Sequence, residues 1–130
     1  DKGICVLHTI GSILTPQPNA PFIQRYIFPD GEIPHESDMA KHIEYSGLIM
    51  SDRETLVRHY DKTLEAWLNR FLKNKHIVKD LFDQKFVKMW EFYLASCSAA
   101  FKYRDLVVFQ YQLVKNFDAI PSNRRDYIYS

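Results

Sequence analysis

The first apolar run of the chain lies at its start. Residues 4–7 are apolar at successive positions, and Thr9 and Ile10 continue the run after His8. A run of this kind is typical of a strand that is buried on both faces of a parallel sheet. We predict such a strand over residues 4–10. Because it needs neighbours on both sides, we expect the chain to be the C-terminal end of a larger α/β domain from which the preceding part has been cut away.

The next segment is rich in proline and contains two short helical patterns. Five of the six prolines lie between positions 16 and 34, where they interrupt regular structure. We predict a long loop there, with a short helix near residues 22–27. A second short helix is predicted over residues 37–45, with Ser37 or Asp38 as its N-cap.

The apolar period changes twice in the second half of the chain. Residues 47–50 predict a second strand, and from Glu54 onward the spacing becomes helical. One helical stripe comprises Leu56, Tyr60, Leu64, Trp67, Leu68, Phe71 and Leu72. A second comprises Phe82, Phe86, Met89, Trp90, Tyr93, Leu94, Cys97 and Phe101. Apolar and polar residues then alternate through residues 109–113, so we predict a third strand over residues 106–114.

Composition and charge exclude several functions. The 17 basic and 16 acidic residues nearly cancel, so the overall balance indicates no nucleic-acid partner. No apolar run approaches the length of a membrane span, and we expect a soluble, cytoplasmic protein. Cys5 and Cys97 are isolated, so they predict two buried thiols rather than a disulfide or a zinc site. The histidines at positions 35, 42 and 76 lack metal-ligand spacing, and no metal site is expected.

Several candidate residues have two interpretations on sequence alone. A strand-end histidine such as His8 is more often structural than a ligand, and Tyr60 lies on a stripe typical of a core tyrosine. Five aromatic residues fit a helix core and an apolar channel equally: Trp67, Phe71, Trp90, Tyr93 and Phe101. The basic residues of the helical region fit a solvated helix face or a surface facing anionic lipid head groups: Arg53, Arg58, Lys62, Arg70, Lys73, Lys75, Lys79, Lys85 and Lys88.

Five motifs together carry a family resemblance: HTIG, YIFPDGEIP, SGL, HYDKTLEAW and MWEFYLASCSAAFKYRDLVVFQ. From about residue 3 to residue 114 the chain resembles the C-terminal part of the cyclopropane-fatty-acyl-phospholipid synthases. These are S-adenosylmethionine-dependent methyltransferases related to the mycolic acid cyclopropane synthases. The resemblance implies an α/β fold, namely the end of a Rossmann-like class I methyltransferase with a mixed sheet. Residues 4–10, 48–51 and 106–114 would be its last three strands, with the final strand antiparallel between the other two.

The resemblance also implies a domain organisation. Residues 1–130 would be the C-terminal portion of a single methyltransferase domain, with residues 116–130 as a tail. Two long helices, at residues 56–72 and 82–101, would help to roof an acyl pocket. The glycine loop that holds the cofactor would lie upstream of this chain. We therefore expect no cofactor-binding residues here, and an isolated chain without activity.

The implied chemistry is transfer of a methylene group from S-adenosylmethionine to cis double bonds of phospholipid acyl chains. The alkene attacks the sulfonium methyl group, and a bound bicarbonate removes a proton so that the ring closes. The motifs assign bicarbonate binding to His8, the Ile10 backbone and Tyr60, with His8 and Tyr60 catalytic. The acyl pocket would draw on Trp67, Phe71, Trp90, Tyr93 and Phe101.

Other activities and partners remain open at this point. Related enzymes add methyl branches to fatty acids or methylate amines, and a non-catalytic lipid-binding module is the alternative from another class. The expected partner is an unsaturated phospholipid, contacted peripherally at the inner membrane face, with a homodimer as a further expectation and no nucleic acid.

Overall fold

The computed structural model describes residues 2–122 and 124–129. Its strands are β1 (Ile4–Ser12), β2 (Ile49–Leu56) and β3 (Leu106–Val114), and its helices are α1 (Pro21–Tyr26), α2 (Glu36–Tyr45), α3 (His59–Leu81) and α4 (Gln84–Tyr103). Two short 3-10 helices come after β3, at Phe117–Ala119 and Arg125–Ile128. None of the helices in the described ranges is long and apolar enough to cross a membrane.

The three strands form one sheet in the order β1-β3-β2. Both pairings are antiparallel, so β1 and β2 run in the same direction with β3 inserted between them, as the resemblance implied. The central position of β3 explains its burial, because it has a neighbour on each edge and helices on each face. Its residues Val107, Phe109 and Tyr111 are at most 1% exposed.

Helices cover the two faces of the sheet with separate cores. On one face, Phe109 and Tyr111 of β3 pack with Ile43 of α2. On the other face, Val108 packs with Leu64 of α3, and Leu94 and Phe101 of α4 complete that core. Because side chains alternate along a strand, β3 divides its apolar residues between both cores. The two predicted helical stripes thus supply the core on the α3 and α4 side of the sheet.

The strand β1 differs from its prediction. Its pairing with β3 is antiparallel, as the resemblance implied, but most of its first half is exposed rather than buried on both faces. Val6 is 67% exposed, and the thiol-bearing Cys5 is also exposed, contrary to its predicted burial. The physical reason is position, because β1 lies at the edge of the described sheet and only its last residues pass beneath the helices and the loop.

The boundaries of α2 and α3 also differ from prediction. The strand β2 continues to Leu56, so the apolar spacing that began the predicted helix belongs partly to a strand. Helix α3 begins at His59 and continues to Leu81, nine residues beyond the predicted end. Helix α2 is capped by His35, whose Nδ1 accepts from the Ser37 amide at 3.2 Å, rather than by Ser37 or Asp38.

The segment predicted as a tail folds back onto the sheet. The Tyr127 hydroxyl accepts a hydrogen bond from the side-chain amide of Gln112 at 2.7 Å. The Arg125 guanidinium forms a two-point ion pair with Asp52 on β2, at 2.7 and 2.9 Å. Positions 123 and 130 of this segment lie outside the described residues.

Candidate active site

A cavity of about 610 Å³ lies between the end of β1, the proline-rich loop and the helices α3 and α4. His8 and Ile10 of β1 line it, together with Tyr60 of α3. These are the three residues that the family resemblance assigned to bicarbonate. Residues far apart in sequence therefore meet at one cavity.

Strand geometry explains why His8 and Ile10 share this cavity. Residues two apart on a strand project from the same face. Ile10 is paired with Val108 of β3 and packs against the core that α3 and α4 form. His8 consequently lies on the helix-covered face toward α3 and α4.

A glutamine from β3 contacts the imidazole ring of His8. The Nε2 atom of Gln110 lies 3.1 Å from Nδ1 of His8, and the two residues are directly opposite in the strand register. With the amide nitrogen as donor, Nδ1 accepts, so the neutral imidazole carries its proton on Nε2. Gln110 thus leaves the His8 Nε2–H as a donor. Sequence analysis did not identify Gln110.

The amide of Ile10 points away from β3. The Ser12 N–H donates to the Pro34 carbonyl at 3.0 Å on the outer edge of β1, whereas the Ile13 N–H donates to the Asp105 carbonyl at 3.3 Å. Because successive amides on a strand point to opposite edges, the Ile10 N–H points to the same outer edge as that of Ser12. In the part of the chain that the structure describes, no strand pairs along that edge. The described sheet therefore does not use the Ile10 amide.

A tight connection places Tyr60 in the first turn of α3. Only two residues separate the end of β2 from α3, and the second of them, Arg58, has a left-handed backbone with φ of 65°. The Tyr60 ring packs against Phe101 and Trp67, with centroid distances of 5.1 and 5.9 Å. These rings fix the position of Tyr60 relative to the cavity.

The predicted acyl-pocket residues separate into two groups. Tyr93 and Phe101 line the cavity. Trp67, Phe71 and Trp90 do not line it: Trp67 packs on Tyr60, while Phe71 and Trp90 pack against the core beneath. From sequence, the members of one helical stripe could not be divided in this way, because wall and core share the same period.

Cys97 also lines the cavity, four residues after Tyr93 on α4. Burial raises the pKa of the Cys97 thiol to about 11, and the Tyr93 hydroxyl, which hydrogen-bonds to it, acts in the opposite direction. Burial also raises the pKa of Tyr93, with smaller contributions from Cys97 and Tyr60. Near neutral pH the thiol and the Tyr93 hydroxyl are therefore both protonated, and this wall of the cavity is uncharged.

Alkylation should reveal the raised pKa of Cys97. Only the thiolate reacts, so iodoacetamide is expected to modify the exposed Cys5 much faster than Cys97 at pH 8. The Cys97 rate should keep rising up to about pH 11. The raised pKa also makes folding stability depend on pH, because the folded protein binds the Cys97 proton more tightly than the unfolded chain does. The contribution of Cys97 to the free energy of unfolding is fully present below the pKa of the unfolded chain and is lost as the pH rises toward 11. Peptide mapping by mass spectrometry measures both rates; equal rates at pH 8 would contradict the assignment.

The described residues hold no group of three histidine, cysteine or carboxylate side chains that could bind a metal ion. The cavity instead joins aromatic and apolar walls to the polar strand end of β1. Such an arrangement suits a long apolar ligand with one polar or reactive position held near His8 and Tyr60.

Solved structures share this fold. The cyclopropane synthase MmaA2 from Mycobacterium tuberculosis matches with a TM-score of 0.79 and 23% identity, over 85% of this chain and 44% of that one. Mycolic acid cyclopropane synthase CmaA1, solved as a complex with SAH and CTAB, matches with a TM-score of 0.77 and 24% identity over the same shares. The fold is therefore the C-terminal part of the cyclopropane synthase architecture.

Sequence comparison shows the family. A model of the mycolic acid cyclopropane synthetase family matches residues 1–111, and this chain belongs to that family. It is 38% identical over 109 residues to the cyclopropane-fatty-acyl-phospholipid synthase of Escherichia coli strain K12, covering 84% of this chain and 28% of the relative. It is 41% identical over 81 residues to a probable fatty acid methyltransferase of Pseudomonas putida, covering 62% and 21%. The chain thus spans less than a third of these relatives.

Proposed function

We propose that this chain is the C-terminal portion of an S-adenosylmethionine-dependent enzyme that adds a methylene group to cis double bonds of phospholipid acyl chains. The observation that carries the proposal is the meeting of His8, Ile10 and Tyr60 at one cavity with aromatic walls. Family membership and the E. coli relative support the same activity. The remaining part of the relatives is expected to hold S-adenosylmethionine.

The donor set at the cavity fits a small anion such as bicarbonate. His8 offers Nε2–H because its other nitrogen faces Gln110, and the Ile10 amide points to the edge of β1 on which Ser12 binds the Pro34 carbonyl. Tyr60 offers a hydroxyl. Three donors of this kind can supply hydrogen bonds to the oxygens of a planar oxyanion without a positively charged side chain. When bound, bicarbonate would supply the base that takes a proton from the alkylated acyl chain.

The other walls would protect a cationic carbon. Phe101 is 3% exposed, and Tyr93 is half-buried beside it in the cavity wall. Aromatic faces stabilise nearby positive charge, and their apolar surface excludes water that would otherwise trap a carbocation. We propose that these two side chains, with Tyr60, hold the reacting part of the acyl chain. Trp67, Phe71 and Trp90 would support them from behind.

A second candidate function is methyl branching of an acyl chain. It is favoured by the P. putida relative and by a tuberculostearic acid methyltransferase of M. tuberculosis, 36% identical over 96 residues and covering 72% of this chain. Both reactions begin with the same methyl transfer to an alkene. They differ in the fate of the carbocation that this transfer creates, so product structure separates them.

The test is an assay of the full-length protein with methyl-labelled S-adenosylmethionine, bicarbonate and a cis-unsaturated phosphatidylglycerol. The expected product is a labelled cyclopropane fatty acid, identified by gas chromatography and mass spectrometry after release from the lipid. A labelled branched acid that still contains a double bond, formed when the cation loses a proton without closing a ring, would establish the second candidate instead. Lipid binding without label transfer would overturn both and leave the non-catalytic module.

Replacing Gln110 tests how His8 is held. Gln110→Leu should lower kcat by about 5- to 10-fold, since the lost hydrogen bond frees the imidazole to rotate and change tautomer. The half-saturating bicarbonate concentration should rise, while KM for lipid stays unchanged. The control is Gln112→Leu, which loses hydrogen bonds to Ser51 and Tyr127 outside the cavity. Equal effects of both substitutions would contradict a positioning role for Gln110.

A further inference from the structure

The hairpin formed by α3 and α4 ends in exposed apolar side chains. We name residues 73–88 the hairpin tip; it joins the end of α3 to the start of α4. Leu81 is 72% exposed, Phe82 is 62% exposed and Ile77 is 49% exposed. Large apolar side chains grouped at one end of an element are costly in water and mark a contact surface. Of these three, Phe82 stacks on Phe86 with one face of its ring, and all three still present much of their surface to solvent.

The hairpin tip is also strongly basic. It holds five exposed lysines, none of which forms an ion pair within the described part of the chain: Lys73, Lys75, Lys79, Lys85 and Lys88. Only two aspartates accompany them, and one of these, Asp83, caps α4 by accepting from the Phe86 amide at 2.6 Å. The tip therefore carries a net charge of +3, whereas the whole chain carries +1 and the rest of it −2. The positive charge is a local property.

A line of aromatic rings leads from the hairpin tip toward the cavity. Phe82 stacks on Phe86 at 4.3 Å between centroids, and Phe86 stacks on Trp90 at 5.8 Å. Trp90 contacts Tyr93 at 5.0 Å, and Tyr93 lines the cavity. Within α4, Tyr93 comes seven residues after Phe86, which corresponds to roughly 10 Å along the helix axis. One apolar track therefore connects the exposed tip with the proposed acyl site.

We propose that the hairpin tip docks onto an anionic phospholipid bilayer, with Leu81 and Phe82 inserted among the head groups and the lysines around them bound to lipid phosphates. The proposal rests on the proposed function, since it identifies the surface through which a membrane substrate is approached. The charge of the hairpin tip favours a membrane as the partner. Exposed leucine and phenylalanine flanked by unpaired lysines match a bilayer that is apolar inside and negatively charged at its surface. A neutral apolar protein partner would leave the lysines without counter-charge.

Vesicle sedimentation of the full-length protein tests the docking. The probe is mixed phosphatidylcholine–phosphatidylglycerol vesicles, with pure phosphatidylcholine vesicles as reference. The triple substitution Lys79→Gln, Lys85→Gln and Lys88→Gln should weaken binding to the anionic vesicles by about 100-fold, at about fivefold per lysine. Leu81→Asp with Phe82→Asp should weaken it at least as much. High salt should weaken wild-type binding and reduce the difference between the wild type and the lysine variant.

Matched controls use exposed positions outside the hairpin tip. Lys2→Gln, Lys41→Gln and Lys62→Gln remove the same charge, and Tyr45→Asp with Phe117→Asp changes side chains that are 76% and 72% exposed. These five control substitutions should leave the affinity for vesicles within twofold of the wild-type value. Wild-type binding by both tip variants, or equal losses in tip and control variants, would overturn the proposal.

The same variants separate docking from catalysis. With unsaturated lipid dispersed in non-ionic detergent, the tip variants should form product at the wild-type rate, because no bilayer has to be engaged. If the wild type forms no product in either system, the proposed function fails while the vesicle result still decides the docking. If the tip variants lose activity in detergent as well, the tip acts on the cavity rather than on a membrane, and the docking proposal is wrong.

Discussion

His8→Ala is expected to lower kcat/KM for cyclopropane formation by about 100- to 1000-fold in the full-length enzyme. A preorganised donor to a bound anion is worth about that much once the bound acyl chain excludes water from the site, because water then cannot take the place of the lost donor. His8 lies opposite Gln110 near the middle of β1, because the strand continues beyond its predicted end to Ser12, and the loss of His8 also removes the hydrogen bond that orders that glutamine. The measurement is the initial rate at saturating S-adenosylmethionine while bicarbonate is varied in carbon-dioxide-depleted buffer.

Tyr60→Phe extends the same test with a smaller change. It removes only the hydroxyl and keeps the ring contacts with Phe101 and Trp67, so a loss of roughly 10- to 100-fold is expected. The control is His42→Ala, an exposed histidine on α2, across the sheet from the cavity. If both His8→Ala and Tyr60→Phe stay within twofold of the control, neither residue binds bicarbonate and the assignment of this site is wrong.

Strands and helices with a clear apolar periodicity could be predicted from sequence, whereas those in which the apolar spacing is interrupted or ambiguous could not. The third strand has the predicted bounds, Leu106–Val114, because it is buried on both faces and alternates toward its end. Helix α3 extends beyond its prediction because the residues from Lys73 onward are mostly polar or charged and break the apolar stripe, while lysine still has a favourable helix propensity. The exposure of β1 could not be predicted, because an apolar sequence indicates a strand but not which strands and helices pack against it.

The residues of the candidate site also fall into two groups, those that a sequence motif indicates and those that only the fold brings to the cavity. His8, Ile10 and Tyr60 are predicted as site residues because each belongs to a short motif, and the structure brings them to one cavity. Gln110 is the last residue of the long motif MWEFYLASCSAAFKYRDLVVFQ, but the motif assigned it no role, and it contacts His8 only through strand register, across 102 positions of sequence. Cys97 was identified as a core residue because cavity wall and core have the same helical period. Contacts set by register and packing depend on the assembled fold, and local sequence does not encode them.

The glycine of the HTIG motif has a structural reason that sequence patterns did not supply. A Cβ built on Gly11 would overlap the ring of Phe109, and it would lie 3.0 Å from the Pro34 carbonyl oxygen. Phe109 is fully buried between β3 and α2, so its ring has no space into which to move. The close approach draws β1 and the proline-rich loop together beside Ile10 and Ser12. The lack of a side chain at Gly11 therefore allows β1 to lie against both Phe109 and the Pro34 carbonyl.

Gly11→Ala is accordingly expected to lower the free energy of unfolding by about 2–3 kcal/mol, because a methyl group is forced against both a packed ring and a backbone oxygen. Urea denaturation of the full-length protein measures it, and activity should fall in parallel since the strand end is displaced. Gly3→Ala is the matched control, because nothing lies within 4 Å of a Cβ at that position. Adding Phe109→Leu to Gly11→Ala should recover part of the loss, and the double-mutant cycle gives the coupling between the two positions. A coupling of zero would mean that the ring is not what excludes a side chain at position 11.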